Sequence, residues 1–386
     1  MAKPDHRALI LAHLFAASQA TRTQIAESLG LRKSTVGEVC RRLLEERLLL
    51  GGEGVKRNER LHLNPESFLA LGVEHRLDCL KLVVLDGSLR RAAQASPAME
   101  AVYEEARVRR ILDLIRGFLR EQGLRRGALR GLGFSDFIPH DIGAGHRFKS
   151  IWMPGWGSIN IKAKVEEALG LETRILRCTD GFSLAERVFG DCRTVDSFIT
   201  VQLDAGIGLS VYHDGFFLRG STDIFGELGH TVYDEEGEIC KCGNRGCLET
   251  VAGAEAIVRK VQENVDRTYF RTPGGANSIS LEDVIHNARE GSKLALLALH
   301  EAAKAIGNTL AIVVNVLGIT RIVLYGRLVQ AGELLRQQIL NSIHQHCIYP
   351  LNQDTEVCLS RLDDYASAAG SAYSVLKAYF DAAKAK

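Results

Sequence analysis

The sequence predicts an α/β protein: a small helical head with two short strands, followed by a two-lobed α/β body. Three observations carry this. Residues 1–65 show three helical periods separated by a glycine turn and followed by a basic, glycine-rich segment. Beyond them, antiparallel strand signals followed by an α/β crossover occur twice. Between positions 230 and 247, one histidine and three cysteines crowd into a glycine-bearing knuckle.

A chain of 386 residues is long enough for two or three domains, each with its own core. Its 46% hydrophobic and 25% charged content is that of a soluble globular protein. The net charge is +1, but residues 1–65 hold 11 Lys and Arg against 7 Asp and Glu, a net of +4 that leaves −3 for the rest. A basic head on a slightly acidic body suggests a nucleic-acid module joined to something else. The start, Met1 to His6, carries no export signal. The most apolar stretch, Leu310 to Leu324, is interrupted by Asn315 and Arg321, so it reads as a buried helix and strand and not as a membrane span. The expected compartment is the cytoplasm.

In the head, Leu9, Ile10, His13, Leu14 and Ala17 follow helical spacing. Thr21-Arg22-Thr23-Gln24 fits a capping box, with Ile25 and Leu29 behind it and Gly30 as the stop. A third helix follows, with Val36, Val39, Cys40 and Leu43 as its core positions. Helix, glycine turn and helix is the geometry of a helix-turn-helix. The outer face of the third helix carries Arg32, Lys33, Ser34, Thr35, Gly37, Glu38 and Arg41, short and basic residues suited to a helix whose N-terminal half enters a major groove. Leu48-Leu49-Leu50 and Leu61-His62-Leu63 then flank Gly51 to Gly54 with Lys56, Arg57 and Arg60: two strands around a basic tip, a wing that can reach phosphate or minor groove. Such a trihelical fold also serves as a protein-interaction module; the basic helix entry and basic wing together favour double-stranded DNA.

In the body, strands are expected at Leu71–Val73 and Leu80–Leu85, at Ala128–Phe134, and at Arg174–Cys178, the last ending on Thr179-Asp180. Helix is expected at Val165–Leu169. Phe198–Leu203 is a strand closed by Asp204-Ala205-Gly206-Ile207-Gly208. Leu209–His213 and Phe216–Leu218 flank an Asp214-Gly215 hairpin turn. Then come a helix over Leu294–Val316, a strand over Arg321–Leu324, and helices from Ala331 and Ala366. The pattern implies two lobes with a cleft between them.

His230, Cys240, Cys242 and Cys247 form a tight set of soft ligands plus one imidazole, which suits tetrahedral zinc in a closed, structural site. A reduced cysteine cluster without metal is the alternative. A disulfide is disfavoured, because Cys240 and Cys242 are too close in sequence to pair comfortably.

Gly226-Glu227-Leu228-Gly229-His230, followed by Cys240-Lys241-Cys242-Gly243-Asn244-Arg245-Gly246-Cys247-Leu248-Glu249, resembles the signature of the ROK family. That family joins actin-like sugar kinases to transcriptional regulators made of the same lobes plus an N-terminal winged helix. The resemblance covers the whole chain and implies a winged helix-turn-helix at 1–65, then a two-lobed actin-like, ribonuclease H-like α/β body. Its lobes would be 66–195 and 196–386, with the last helix able to return to the first lobe. By resemblance, Thr179, Asp180, Glu227, His230 and Glu249 would hold the hydroxyls of a sugar or sugar-derivative effector. Helix N-terminal placement is a rival reading of Glu249.

The departures point away from catalysis. Where family kinases open with a glycine phosphate loop, this chain has Glu74-His75-Arg76-Leu77-Asp78. Where a second loop is Gly-Thr-Gly-x-Gly, it has Asp204-Ala205-Gly206-Ile207-Gly208; the late Gly-Gly turn is Tyr325-Gly326-Arg327. On the sugar side, Thr179 replaces an Asn, and Ser135-Asp136-Phe137-Ile138-Pro139 replaces a Pro-Gly loop, so Phe137 would take space a sugar uses. The expected protein is a DNA-binding regulator, a repressor of sugar-utilisation genes, with structural zinc, no catalytic residues, and a homodimer or homotetramer as the working state. The alternatives are a sugar kinase with a fused head, and a regulator controlled by a protein partner.

Overall fold

The computed structural model describes residues 5–51, 59–100, 103–124, 126–138, 153, 156, 159–221, 224–265, 270 and 278–382. Lys56, Arg57 and Pro139, named above, lie outside the described residues.

In chain order the head contains α1 (His6–Ala17), β1 (Ala20–Thr21), α2 (Arg22–Leu29), α3 (Lys33–Glu45), β2 (Leu49–Leu50) and β3 (Arg60–Leu63). Next come β4 (Leu69–His75), β5 (Leu80–Leu85), β6 (Arg91–Ala95), α4 (Glu104–Glu121), β7 (Leu129–Asp136), α5 (Ile161–Leu169), β8 (Thr173–Arg177) and α6 (Cys178–Phe189). They are followed by β9 (Ser197–Leu203), β10 (Ile207–His213), β11 (Phe216–Phe217), α7 (Leu248–Ala252), α8 (Ala254–Asn264), α9 (Leu281–Arg289) and α10 (Lys293–Leu317). The chain closes with β12 (Arg321–Tyr325), α11 (Glu333–His346), α12 (Leu351–Asp354), β13 (Glu356–Leu359) and α13 (Ala366–Ala382). It divides into two compact units: Met1–Ala185 with Asp363–Lys386, and Glu186–Leu362.

The three helices of the head form where their pattern predicts. Thr21 and Gln24 make a reciprocal capping box at the start of α2, and Gly30 ends that helix in the left-handed region. Ile10, Leu14, Ile25, Val36, Cys40 and Leu43 are buried. Val39, expected in the core, is only partly covered, on the rim of α3. β1 was not foreseen: two residues are too short for a periodic signal, and Thr21 also serves as the helix cap. It pairs with β3, giving a three-stranded order β1-β3-β2.

The first-unit body sheet has the order β6-β5-β4-β7-β8, with β4–β5 and β5–β6 antiparallel and β4–β7 and β7–β8 parallel. α13 lies directly on this sheet. A Cβ at Gly72 would fall 1.8 Å from the Ala368 carbonyl oxygen, and one at Gly133 would fall 2.1 Å from that of Ser371, so only glycine permits the approach. A core that includes Leu71, Val73, Val84, Ile111, Ile115 and Val165 joins the strands to α4 and α5. The head is seated on α13: the Phe15 ring of α1 stacks on Phe380, with centroids 4.4 Å apart and an interplanar angle of 24°. β8 stops at Arg177, so Thr179 and Asp180 belong to the first turn of α6 and not to a strand end.

The second unit repeats the plan, with order β11-β10-β9-β12-β13, antiparallel through the hairpins and parallel at β9–β12 and β12–β13. Asp214 and Gly215 both take positive φ, as the two-residue hairpin requires. α10 is long and apolar enough to cross a membrane, but 61% of its apolar window is buried in the protein, with Leu299, Ile306 and Leu310 in the second-unit core.

Candidate functional site

The cysteine knuckle is built on backbone bonds. The Glu227 carbonyl accepts from the His230 N–H, closing a single helical turn that delivers the imidazole. Downstream, Cys240 N donates to Asn244 O at 2.7 Å, and Gly246 N donates to Glu238 O at 2.7 Å. Gly246 has φ of 69° and sits against Asp234, whose carbonyl oxygen would lie 1.5 Å from any Cβ there. This brings Nδ1 of His230 and the sulfurs of Cys240, Cys242 and Cys247 within 4.8 Å of one another. Cys240 Sγ is 3.6 Å from His230 Nδ1, and Cys242 Sγ is 3.6 Å from Cys247 Sγ. These cysteines are free thiols. Four donors that converge without touching leave room for one central ion, and a Cys₃His set matches zinc chemistry.

Around the knuckle the second unit presents two carboxylates. Glu227 is half-buried beside the His230 turn. Glu249 lies in the first turn of α7, yet its Oε2 accepts from the Ile207 N–H at 3.3 Å, so it serves the strand-side loop and not its own helix end. Burial raises its carboxyl above the usual range, against the pull of His230 and of the Ile207 amide.

In the first unit, Asp180 is fully buried and held by Arg177, whose Nε and Nη2 donate to its two oxygens at 3.0 and 2.7 Å. Sequence reading missed this arginine, although its spacing of three residues before Asp180 was visible. Thr179 is buried, and its carbonyl accepts from the Ser183 hydroxyl. Phe137 packs with its ring 5.2 Å from that of His75. His75 in turn sits in a buried network: Nδ1 lies 3.1 Å from Asp136 Oδ1, Nε2 accepts from Arg107 Nε at 2.8 Å, and Trp156 Nε1 donates to Asp136 Oδ2 at 3.2 Å. None of these partners carries a local motif, so they were silent in the sequence.

The loops that depart from the kinase pattern are occupied by ion pairs. Arg76 donates to Glu74 at 2.9 Å and to Asp364 at 2.6 Å, and Lys81 also pairs with Asp364. In the second unit, Asp204 accepts from Arg327 at 2.7 Å. A groove of about 430 Å³ opens elsewhere, between α1 and α13, lined by Arg7, Leu11, Arg130, Tyr379 and Phe380 among others; it includes none of the expected ligand-binding residues.

On the head, Arg32, Lys33, Ser34, Glu38 and Arg41 are exposed along α3, Thr35 and Gly37 are partly so, and Arg60 is exposed at the start of β3. Arg41 pairs with Glu45 at 2.7 Å, and Arg42 pairs with Glu38.

A family model described as ROK family matches residues 82–378. The xylose repressor of Bacillus subtilis (strain 168) is 22% identical over 384 residues, covering 98% of this chain and 97% of its own. A crystal structure of a ROK family transcriptional regulator, described as a homologue of the E. coli MLC protein, superposes with a TM-score of 0.81 at 22% identity over 97% of each chain. A ROK hexokinase from Thermus thermophilus superposes with a TM-score of 0.65 at 24% identity, over 81% of this chain and 99% of its own.

Proposed function

The chain belongs to the ROK family, and we propose that it is a sugar-responsive DNA-binding repressor and not a kinase. The regulator-type neighbour spans head and body alike, whereas the hexokinase leaves about a fifth of this chain unmatched. The observation that carries the regulator reading is the state of the loops. Where phosphates would need bare backbone amides, this chain places the Glu74–Arg76–Asp364 ion pairs in one unit and the Asp204–Arg327 pair in the other. A carboxylate in that position repels a nucleotide, and an arginine already bound to it is not free to compensate.

The N-terminal half of α3 docks in the major groove, with Arg32 and Lys33 on phosphate and Ser34, Thr35, Gly37, Glu38 and Arg41 toward base edges; Lys56, Arg57 and Arg60 follow on the wing. A homodimer or homotetramer sets two heads on a two-fold operator. As a regulator of genes, the protein works in the cytoplasm.

His230, Cys240, Cys242 and Cys247 hold a structural zinc, which cross-links the knuckle and has no open position for chemistry. With Nδ1 of His230 turned to the sulfurs, Nε2 is left to meet a hydroxyl, and Glu227 and Glu249 add charge-assisted acceptors. Thr179 and Asp180 are the candidate contacts of the first unit. The effector acts only through differential affinity for the DNA-competent and released states.

Arg177 on Asp180 and Phe137 on His75 also favour a second reading, in which a protein partner and not a sugar sets the response. Two measurements decide. Gel-shift titration against selected duplexes should show specific binding that Arg32→Ala weakens for all sequences alike, lowering the salt slope by about 1. ATP turnover with a panel of hexoses should be nil; turnover with any of them overturns the regulator-only reading.

A further inference from the structure

We infer that Gly37 is a specificity-determining position of the head, where bare helix backbone admits the methyl group of a thymine on the major-groove edge of the operator. This rests on the DNA-binding reading given above and names what that surface selects.

Gly37 lies inside α3, not at its end. Its φ is outside the left-handed region, and a Cβ built on it meets nothing within 4 Å among the described residues. Glycine is the poorest helix former after proline. The fold therefore bears a cost at this position that no turn, close packing or backbone conformation among the described residues accounts for. The helix buries the face of Val36, Cys40 and Leu43, which seats it in the head. Gly37 shares a surface row with Ser34 and Arg41, three residues before and four after. Ser34 is exposed, Arg41 is tied to Glu45, and the neighbouring Glu38 is tied to Arg42. The long charged side chains on the C-terminal side of Gly37 thus have partners on their own helix, Lys33 lies exposed one turn before it, and the strip from Ser34 to Gly37 itself carries no charge.

A base pair that approaches this strip meets Cα and not a donor or acceptor. A hydrogen-bonding edge pressed there loses water without gaining a partner, which is unfavourable. Among base-pair edges in the major groove, the thymine C5-methyl is the apolar group that projects furthest, beyond the C5–H of cytosine. It is the group that gains from the contact, and on this reading a methyl added to residue 37 takes the space that the thymine methyl fills against the bare backbone.

The full-length wild type and Gly37→Ala are each carried through selection from a random duplex library, and both are melted. The wild-type pool should carry a T·A pair at one fixed position of each half-site. Replacing that thymine by uracil, which removes only the methyl, should weaken wild-type binding on the order of fivefold. Gly37→Ala should melt at or above wild type, since alanine is the better helix former, and should lose that preference. Identical pools, or a uniform loss on all duplexes, overturn the inference while leaving DNA binding intact; so does indifference of the wild type to uracil. If the wild type enriches no sequence, the DNA-binding reading fails and this falls with it.

Discussion

Arg327 directs both Nε and Nη2 at a single oxygen of Asp204, at 2.8 and 2.7 Å. In the sequence these residues stand 123 positions apart and read as two unrelated departures from a kinase pattern. In the fold they are one feature. Asp204 follows β9, Arg327 follows β12, and the two strands are parallel neighbours, so both residues emerge at the carboxyl ends of adjacent strands. That is where open α/β sheets place their ligands. Here the position is taken by an internal ion pair, with Glu282 a further 3.9 Å from the guanidinium.

The pair should contribute little to stability. Its arginine is about half exposed, 49% by side chain, so solvent screens most of the attraction. Arg327→Ala should change unfolding free energy by less than about 1 kcal/mol in urea titration. Wild-type protein should bind no ATP by calorimetry. A clear ATP isotherm for wild type would contradict this account of the loop.

The Arg177–Asp180 pair should behave oppositely. Both side chains are buried, at 6% and 0% exposure, and the contact is bidentate. Removing one partner strands a charge in the interior. Arg177→Ala should cost roughly 3–5 kcal/mol, whereas replacing both residues by apolar ones of similar size should recover much of that loss. Chemical denaturation of the two variants makes the comparison, and a mild Arg177→Ala would show that water reaches the site.

For the knuckle, metal analysis of purified protein should give one zinc per chain. Cys242→Ala should lower that content and the melting temperature together, because binding a structural ion is coupled to folding. Strong chelation should do the same to wild type. An intact, metal-free protein of unchanged stability would leave a reduced cysteine cluster as the better description.

Much of this was legible in the sequence, and the reasons differ by element. The capping box at Thr21 and Gln24, the Asp214-Gly215 turn and the knuckle are local patterns, readable because a few adjacent residues fix the geometry. β6 was missed because Arg91–Ala95 is a short strand of small and polar residues, and its edge position is set only by pairing with β5. The ion pairs of Asp204 and Asp364 were invisible for a related reason. Arg327 and Arg76 lie 123 and 288 residues from their partners, and nothing in composition connects them. Asp180 was identified as a candidate ligand, but its helical placement turns on where β8 ends, which the apolar run through Cys178 obscured.

Acid should weaken the first unit through Asp364. Burial pulls its carboxyl upward, but Lys81 and Arg76 outweigh burial and hold it below the usual aspartate range. A depressed folded value means that the pair contributes above the unfolded aspartate pKa, about 3.9, and that the contribution is lost as pH falls through the folded value. Asp364→Asn should flatten the stability profile below about pH 5 while leaving it nearly parallel to wild type at neutrality. Thermal melts across that range make the test; parallel acid limbs would exclude Asp364 as a source of the loss.

The proposed effector residues allow the sharpest separation of sensing from DNA binding. Glu227, His230 and Glu249 belong to the second unit, while α3 belongs to the first. The His230 turn beside Glu227 is held by backbone bonds. Glu227→Ala should therefore leave the knuckle assembled and the affinity for operator without ligand nearly unchanged. It should abolish the release of DNA by whichever sugar wild type binds, because a polyol loses a charge-assisted acceptor that neutral groups replace poorly. Calorimetry against a broad panel of sugars and sugar phosphates, followed by gel shifts with each hit, measures both halves. If no sugar binds wild type, Phe137 and the Arg177–Asp180 pair have closed the first-unit side, and a protein partner becomes the signal. If Glu227→Ala binds and responds like wild type, the sugar sits elsewhere and these carboxylates serve the fold.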